Sequence, residues 1–346
     1  MHLFPRRPDR SRVRTTVATF ACTAALVAGL SACAGDDEVL RTPDGSVIST
    51  TTTRFAQVNI VGAGRNYSRT CLAPTAVDPG RVDPTRIIVT DPALLDSLCA
   101  LGLGPQVRAI TAAPGSVPEY LGPQLGGVPA LGDTPDAAAV REAAPDLVLS
   151  TPDTADRLEA LTATGALGKA ATATIDLGAD WQRSFAAVAA ATGRSAAGRQ
   201  RIEEFTTEAT RVGRVMDAAH SQVSLVRFTP DETLIEGTSS FGAQIMSLVG
   251  VARPAPQRTP DAVVMNETNI ADADADLIYV SYEGDGGRAR GQDVLLSDDW
   301  LDLGAPSWKR VLSVGDALWY GRPGLAAGWL VLNDLKESLN GSSAGE

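Results

Sequence analysis

Histidine is nearly absent from this chain: there are two in 346 residues, His2 at the extreme N-terminus and His220 well inside. Resident zinc or manganese sites lean on several imidazoles, so this scarcity disfavours such a metal site. A Ser-His-Asp hydrolase would need His220 beside a nucleophile elbow, and Gly237-Thr-Ser-Ser-Phe-Gly242 does not match G-x-S-x-G. Acidic residues are plentiful, but their spacing marks no catalytic dyad. No glycine-rich phosphate loop is present, which removes the usual nucleotide site. The apolar stretch over 17–30 is too short for a permanent membrane helix. The chain reads as a binding protein rather than an enzyme, with no cofactor implied.

That short apolar stretch has a role of its own. Arg6, Arg7, Arg10, Arg12 and Arg14 precede it, and Leu30-Ser31-Ala32-Cys33 follows at once. A basic front, an apolar core and small residues mark a secretory leader over 1–32. Its end resembles a bacterial lipobox, in which Cys33 would be lipidated and become the first residue; an ordinary cleaved leader is the alternative. Two or three acyl chains hold stably to a bilayer, so the expected location is the extracytoplasmic face of the cell membrane. Losing 1–32 removes five Arg and one Asp, leaving 25 basic and 40 acidic residues and a formal charge of −15. Such a balance argues against nucleic acid or an anionic lipid surface as partner.

Cysteine is as sparse as histidine. Of four, Cys22 leaves with the leader and Cys33 takes the lipid, so Cys71 and Cys99 remain. In an oxidising compartment the pair is expected to form a disulfide worth about 3–4 kcal/mol, the alternative being two buried thiols.

The polar segment 33–54 has no apolar period and reads as a tether. A possible strand over 55–61 opens an extension stapled through Cys71 to the helix carrying Cys99. Arg86-Ile-Ile-Val-Thr90 is a β-branched strand, the helix 93–101 follows, and strands over 107–112 and 145–150 flank a helix over 135–144. Strands alternating with helices imply a mostly parallel sheet, with ligands meeting the loops at the strands' carboxyl ends.

The segment 181–219 then carries apolar residues at helical spacing: Phe185, Val188 and Ala189, later Ile202, Phe205, Ala209, Val212 and Met216. Gly193 interrupts the pattern and Ser195 suits an N-cap, giving a short helix, a joint and a longer helix over 196–219. It reads as a strut between two similar halves or as an amphipathic helix within one domain. Beyond it come strands over 222–228, 233–235 and 276–281, a helix over 242–249, and a closing helix to about 339. Pro145-Asp-Leu-Val-Leu-Ser150 and Ala275-Asp-Leu-Ile-Tyr-Val-Ser281 show that the halves are built alike.

The order of these signals, lipobox leader, RIIVTDPALLDSLCALGL, PDLVLS, connecting helix, ADLIYVS and VLSVGDALWY, resembles the ABC-importer binding lipoproteins for ferric siderophores, of the ferric-dicitrate-binding type. The resemblance covers roughly 84–340. It implies a class III periplasmic-binding-protein fold: two Rossmann-like α/β lobes joined by one long helix, with little hinge motion. The implied divisions are an N-terminal lobe with its extension over 55–180, the connecting helix over 181–220 and a C-terminal lobe over 221–346. It also implies a monomer that takes a ferric siderophore or related iron chelate between the lobes, haem remaining open through Tyr ligation.

Carried over residue by residue, the cleft candidates are Arg227, Phe228, Tyr282, Trp319, Tyr320 and Arg322, with Tyr120 and Trp181 from the other side. Aromatic walls and an Arg or two suit a bulky chelate with an apolar rim and negative charge. Phe228 and Trp319 equally suit a packed core, and Arg322 could simply cap the last helix. Arg227, at the end of a buried strand, is the leading candidate because a buried Arg needs an anionic partner, which Glu236 or Asp231 could also supply. In this family a Glu on each lobe docks on arginines of the permease. The matching positions here are Ala138 and Ser239, so steering towards a standard importer would be weaker. An alternative is therefore an envelope interaction or sensing module without a dedicated permease.

Overall fold

The computed structural model describes residues 58–178 and 180–339. The leader, Cys33 and the tether expected over 33–54 lie outside the described residues.

Strand β1 (Asn59–Ile60) is followed by β2 (Ile87–Val89), β3 (Val107–Ile110), β4 (Leu147–Ser150) and β5 (Ala171–Thr174). The last four form a sheet in the order β3-β2-β4-β5, every pairing parallel. Helices Leu94–Ala100, Ala137–Ala143 and Ala155–Ala163 lie in the crossovers. Continuous apolar runs such as Ile87-Ile88-Val89 and Leu147-Val148-Leu149 are buried throughout, as a parallel sheet covered on both faces requires. β5 was not among the expected strands. Its Ala-Thr-Ala-Thr side chains are small and mostly exposed, so this edge strand carries no apolar signal.

The strut is two helices, Trp181–Ala191 and Ser195–Val215. Gly193, at φ +70°, makes the joint between them. Phe185, Val188 and Ala189 on one helix and Phe205, Ala209 and Val212 on the other are buried, as the spacing predicts. Ser195 is the first helical residue rather than the cap. The capping bond comes from outside the helix, where Asp78 accepts the Ala196 N–H at 3.1 Å. The helix ends at Val215, short of the expected 219, and Asp217 turns the chain at φ +51°. At Gly213 any Cβ would sit 1.7 Å from the Val249 carbonyl oxygen, so the strut packs directly on the end of the helix Phe241–Val249.

The second half contributes β6 (Val223–Phe228), β7 (Thr233–Ile235), β8 (Val263–Val264), β9 (Leu277–Tyr282) and β10 (Val311–Ser313). Its sheet runs β1-β10-β9-β6-β7-β8; the first four strands are parallel, and β7 and β8 are antiparallel additions. The N-terminal extension therefore does not belong wholly to the first half. β1 pairs Asn59 with Leu312 and Ile60 with Ser313, and the chain then crosses to the disulfide Cys71–Cys99. An open parallel edge at β10 captures the strand, while the disulfide fixes the far end of the crossing.

Two further residues, Arg65 and Asp96, tie the halves. Arg65 in the crossing segment pairs with Asp334 of the closing helix Leu325–Ser338. Asp96, buried in the first half, accepts the N–H groups of Ala326 and Ala327 at 2.9 Å each, so it caps that helix from across the molecule, and Tyr120 donates to it at 3.1 Å. Burial raises the Asp96 carboxyl above its ordinary value, against the pull of these donors. One hydrophobic cluster runs from Ile87 and Leu95 through Phe185 and Phe205 to Leu225, Tyr279, Trp319 and Leu335. The core is thus shared between the halves.

Candidate functional site

The strands of both halves point their carboxyl ends at a cavity of about 330 Å³. Such crevices are where ligands meet open α/β sheets, and the volume falls at the lower end of small-molecule sites. The first half supplies Ala93 and Ser97 from its first helix and Leu177 and Gly178 beyond β5. The strut supplies Trp181 and Ser184. The second half supplies Arg227, Glu236, then Ser239 to Phe241 and Gln244, and Tyr320 with Arg322 to Gly324.

Arg227 reaches the cavity because β6 is a buried central strand whose end opens on the cleft. Its anionic partner is neither Glu236 nor Asp231, as sequence suggested, but Asp316: Nε and Nη2 donate to the two carboxylate oxygens at 2.8 and 2.9 Å. Glu283 stands at 3.5 Å from the same guanidinium, and the Ser281 hydroxyl donates to Asp316 at 3.0 Å. Burial works against the charge of Arg227, but these acids outweigh it and raise its pKa. The Tyr320 ring lies 5.1 Å from the guanidinium carbon, a cation–π contact. Glu236 is buried at the cavity wall, and desolvation raises its carboxyl despite the fields of Arg227 and Arg253.

Arg322 sits on the turn before the closing helix at φ +59°. It does not merely cap that helix. Its guanidinium spans the cleft to Asp91, which follows β2, at 3.1 Å, and to Asp153, which follows β4. Asp91 also accepts from the Thr151 hydroxyl at 3.0 Å.

Of the eight expected site residues, Arg227, Tyr320, Arg322 and Trp181 border the cavity. Of the other four, Tyr120, Phe228 and Trp319 lie in the packed interior, and Tyr282, partly buried, packs against it. Phe228 is fully buried and stacks on Tyr282 with ring centroids 5.5 Å apart, inside the core behind the second sheet. Trp319 is fully buried, donates Nε1–H to Asp334 at 3.0 Å and packs on Tyr279. Tyr120 is spent on Asp96. The aromatic wall is therefore made of Trp181, Phe241 and Tyr320 instead, with Trp181 edge-on to Phe241 at 6.1 Å. Tyr320 is the tyrosine that borders the cavity, and burial pushes its phenol well above the ordinary value.

Sequence reasoning missed Asp316, Phe241 and the serines Ser97, Ser184 and Ser240. The one signal for Asp316 was its place in Val311-Leu-Ser-Val-Gly-Asp316, a carboxylate just past a strand end. The serines carry no pattern at all. Ala138 is exposed on the first turn of its helix, and Ser239, the second expected docking position, borders the cavity. His220 pairs with Asp217 at 2.8 Å on the surface, away from the cavity. Among the described residues no group of three or more His, Cys, Asp or Glu is arranged to hold a metal ion, and no helix is long and apolar enough to cross a membrane.

A cleft between two parallel-sheet halves joined by a packed strut, polar but with one aromatic side, defines a solute-binding protein. The chain belongs to the periplasmic binding protein family, whose profile matches residues 87–315. Its fold is that family's class III arrangement, and it is a substrate-binding protein rather than an enzyme. It is similar to the probable siderophore-binding lipoprotein YfiY of Bacillus subtilis (strain 168), 26% identical over 274 residues that span 73% of this chain and 82% of that one. Among solved structures it is similar in fold to Staphylococcus aureus SirA complexed with staphyloferrin B, with TM-score 0.59 and 17% identity over 75% of this chain and 94% of that one. S. aureus FhuD2 with bound ferrioxamine B gives TM-score 0.57 and 18% identity over 74% and 98%.

Proposed function

We propose that this protein is a lipid-anchored, extracytoplasmic binding protein that captures a ferric siderophore in the cavity between its halves. The observation that carries the reading is the cavity itself: it lies at the strand ends of both sheets and is walled by Trp181, Phe241 and Tyr320, with Arg227 and Arg322 at its polar side. Support also comes from the YfiY name, which states both siderophore binding and lipoprotein, and from neighbours solved with siderophores bound. The leader ending at Cys33 supports the anchor. Iron, on this reading, enters already chelated. The ferric-dicitrate subclass suggested by sequence widens to ferric siderophores in general.

The test is a tryptophan-fluorescence titration with ferric chelates, their iron-free forms and haem, Trp181 serving as the reporter at the cavity. Saturable micromolar or tighter quenching by a ferric chelate and not by its iron-free form is the expected result. No response across the panel would sink the reading. The second reading, an interaction or sensing module without its own permease, rests on Ala138 and Ser239, where docking acids are missing. Co-purification with a stoichiometric permease would refute it.

A further inference from the structure

The cationic groups at the cavity are already engaged, and this bears on the charge of what can bind. The bidentate pair with Asp316 takes Arg227 at Nε and Nη2, and Glu283 approaches the same Nη2 at 3.5 Å. Asp91 and Asp153, on the opposite side of the cleft, take Arg322 at Nη1 and Nη2. Arg253 does not border this cavity; it donates Nη2 to the Glu236 backbone carbonyl and lines a neighbouring recess with Trp181 and Gln244. Of the charged groups only Arg227, Arg322 and Glu236 line the cavity itself; with their charged neighbours included, three guanidiniums stand against five carboxylates, Asp91, Asp153, Glu236, Glu283 and Asp316. Burial raises Glu236, and with its carboxyl protonated the acids still outnumber the bases.

A negatively charged ligand that takes the remaining N–H donors of either guanidinium comes to lie beside the carboxylates already paired to it. Asp91 and Asp316 are held in that place, because each is fixed by a further hydroxyl donor, Thr151 and Ser281. Like charges brought together in a partly desolvated cleft are a strong discriminator against the wrong ligand. Chelate charge follows directly from donor chemistry. Singly charged hydroxamates can balance a ferric ion in full, whereas catecholate and citrate-type donors leave excess negative charge.

We propose that the cavity selects ferric chelates without net negative charge, uncharged or cationic hydroxamate-type complexes, and that Asp91 and Asp153, which hold Arg322 across the cleft, set this preference. The proposal rests on the siderophore reading above and narrows it. It reverses the negative ligand charge expected when the arginines are read from sequence without their partners.

The experiment titrates the full chain, by tryptophan fluorescence at low and high salt, with three ferric chelates. They are a trishydroxamate carrying an ammonium group, an uncharged trishydroxamate and a tris-catecholate. The expected order is the cationic and uncharged complexes at least about tenfold tighter than the catecholate, with the gap narrowing as salt screens the carboxylates. Asp153→Asn, at an exposed position where folding is not at stake, frees one side of Arg322. It should strengthen catecholate binding several-fold and weaken the cationic chelate. Arg322→Gln should move both in the opposite sense. Equal or tighter binding of the catecholate by the unaltered chain overturns the charge preference and leaves the siderophore reading standing. Binding of none of the three overturns both. If Asp153→Asn and Arg322→Gln shift all three chelates equally, the pairing of Arg322 with Asp91 and Asp153 does not set the preference.

Discussion

The two halves share a frame and differ in what they mount on it. In each, an aspartate just before a central strand grips the backbone just before its neighbour. Asp146 accepts from the N–H groups of Thr85 and Arg86, at 3.0 and 2.9 Å, and from the Thr85 hydroxyl at 2.8 Å. Asp276 accepts from the Gln222 N–H at 2.8 Å. The matching PDLVLS and ADLIYVS signals therefore encode the same clamp as well as the same strand. At the cleft the likeness ends. The first half offers helix and loop edges, Ala93, Ser97 and Gly178, with Asp91 and Asp153 beyond them. The second half carries both cavity arginines, the buried Glu236 and the aromatic Tyr320. One sheet motif, used twice, holds the geometry, while the charged and aromatic groups of the cavity come from a strand end, helix ends and turns that differ between the halves.

The disulfide staple belongs to the first half. Cys71→Ser with Cys99→Ser opens a loop closed across 28 residues and should cost about 3–4 kcal/mol in urea unfolding. A loss below about 1 kcal/mol would show that β1 and the Arg65–Asp334 pair alone hold the crossing segment. Asp96→Ala, which strips the cap from the closing helix, should cost about 2–3 kcal/mol by leaving the Ala326 and Ala327 N–H groups buried without an acceptor. Unchanged stability would mean that the second half closes without help from the first.

The clamps allow a finer contrast, because two aspartates of the first half respond to pH in opposite directions. Burial raises Asp96, so the folded state holds that proton more tightly than the unfolded chain does. Its contribution declines as pH rises from the ordinary carboxyl value through the raised one. Burial also opposes ionisation of Asp146, but the Arg86 and Thr85 donors outweigh it and lower its pKa. Its contribution is complete above the ordinary value and is lost as pH falls through the lowered one. Asp146→Asn should therefore cost about 1–2 kcal/mol at neutral pH and progressively less in acid, while Asp276→Asn, with a single backbone donor, should cost about half as much. Equal losses for the two would show that the clamps are energetically alike despite their different bond counts.

Legibility in sequence followed the same division. Both central strand pairs, the strut and the closing helix were readable because buried parallel strands and amphipathic helices leave apolar periods. β5 was not, because an edge strand of Ala and Thr leaves none. β1 could be read as a strand, but its partner could not, since pairing with β10 is decided by which sheet edge is left open. In the site, Arg227 was legible as a buried charge at a strand end. Its partner Asp316 lies 89 residues away, and only folding brings the two together. Phe228 and Trp319 show the opposite failure. An aromatic at a strand end or before a helix looks the same in sequence whether it faces ligand or core, and here Gly291 and Gly242 make room for Tyr282 and Trp319 against the packed interior.

That ambiguity yields the smallest and sharpest expected effect, a comparison of two tryptophans. Trp181 borders the cavity and stands edge-on to Phe205 and Phe241, whereas Trp319 is fully buried with its indole N–H on Asp334. Trp181→Phe keeps an aromatic wall and should weaken chelate binding only a few-fold, yet remove most of the ligand-induced quenching, since the nearest reporter is gone. Trp319→Phe should leave both affinity and quenching within about twofold. Its cost appears in stability instead, about 1–2 kcal/mol, because Asp334 loses a buried donor. Were Trp319→Phe the variant that abolished quenching, the ligand would lie against the core of the second half, and the cavity between the halves would not be the site.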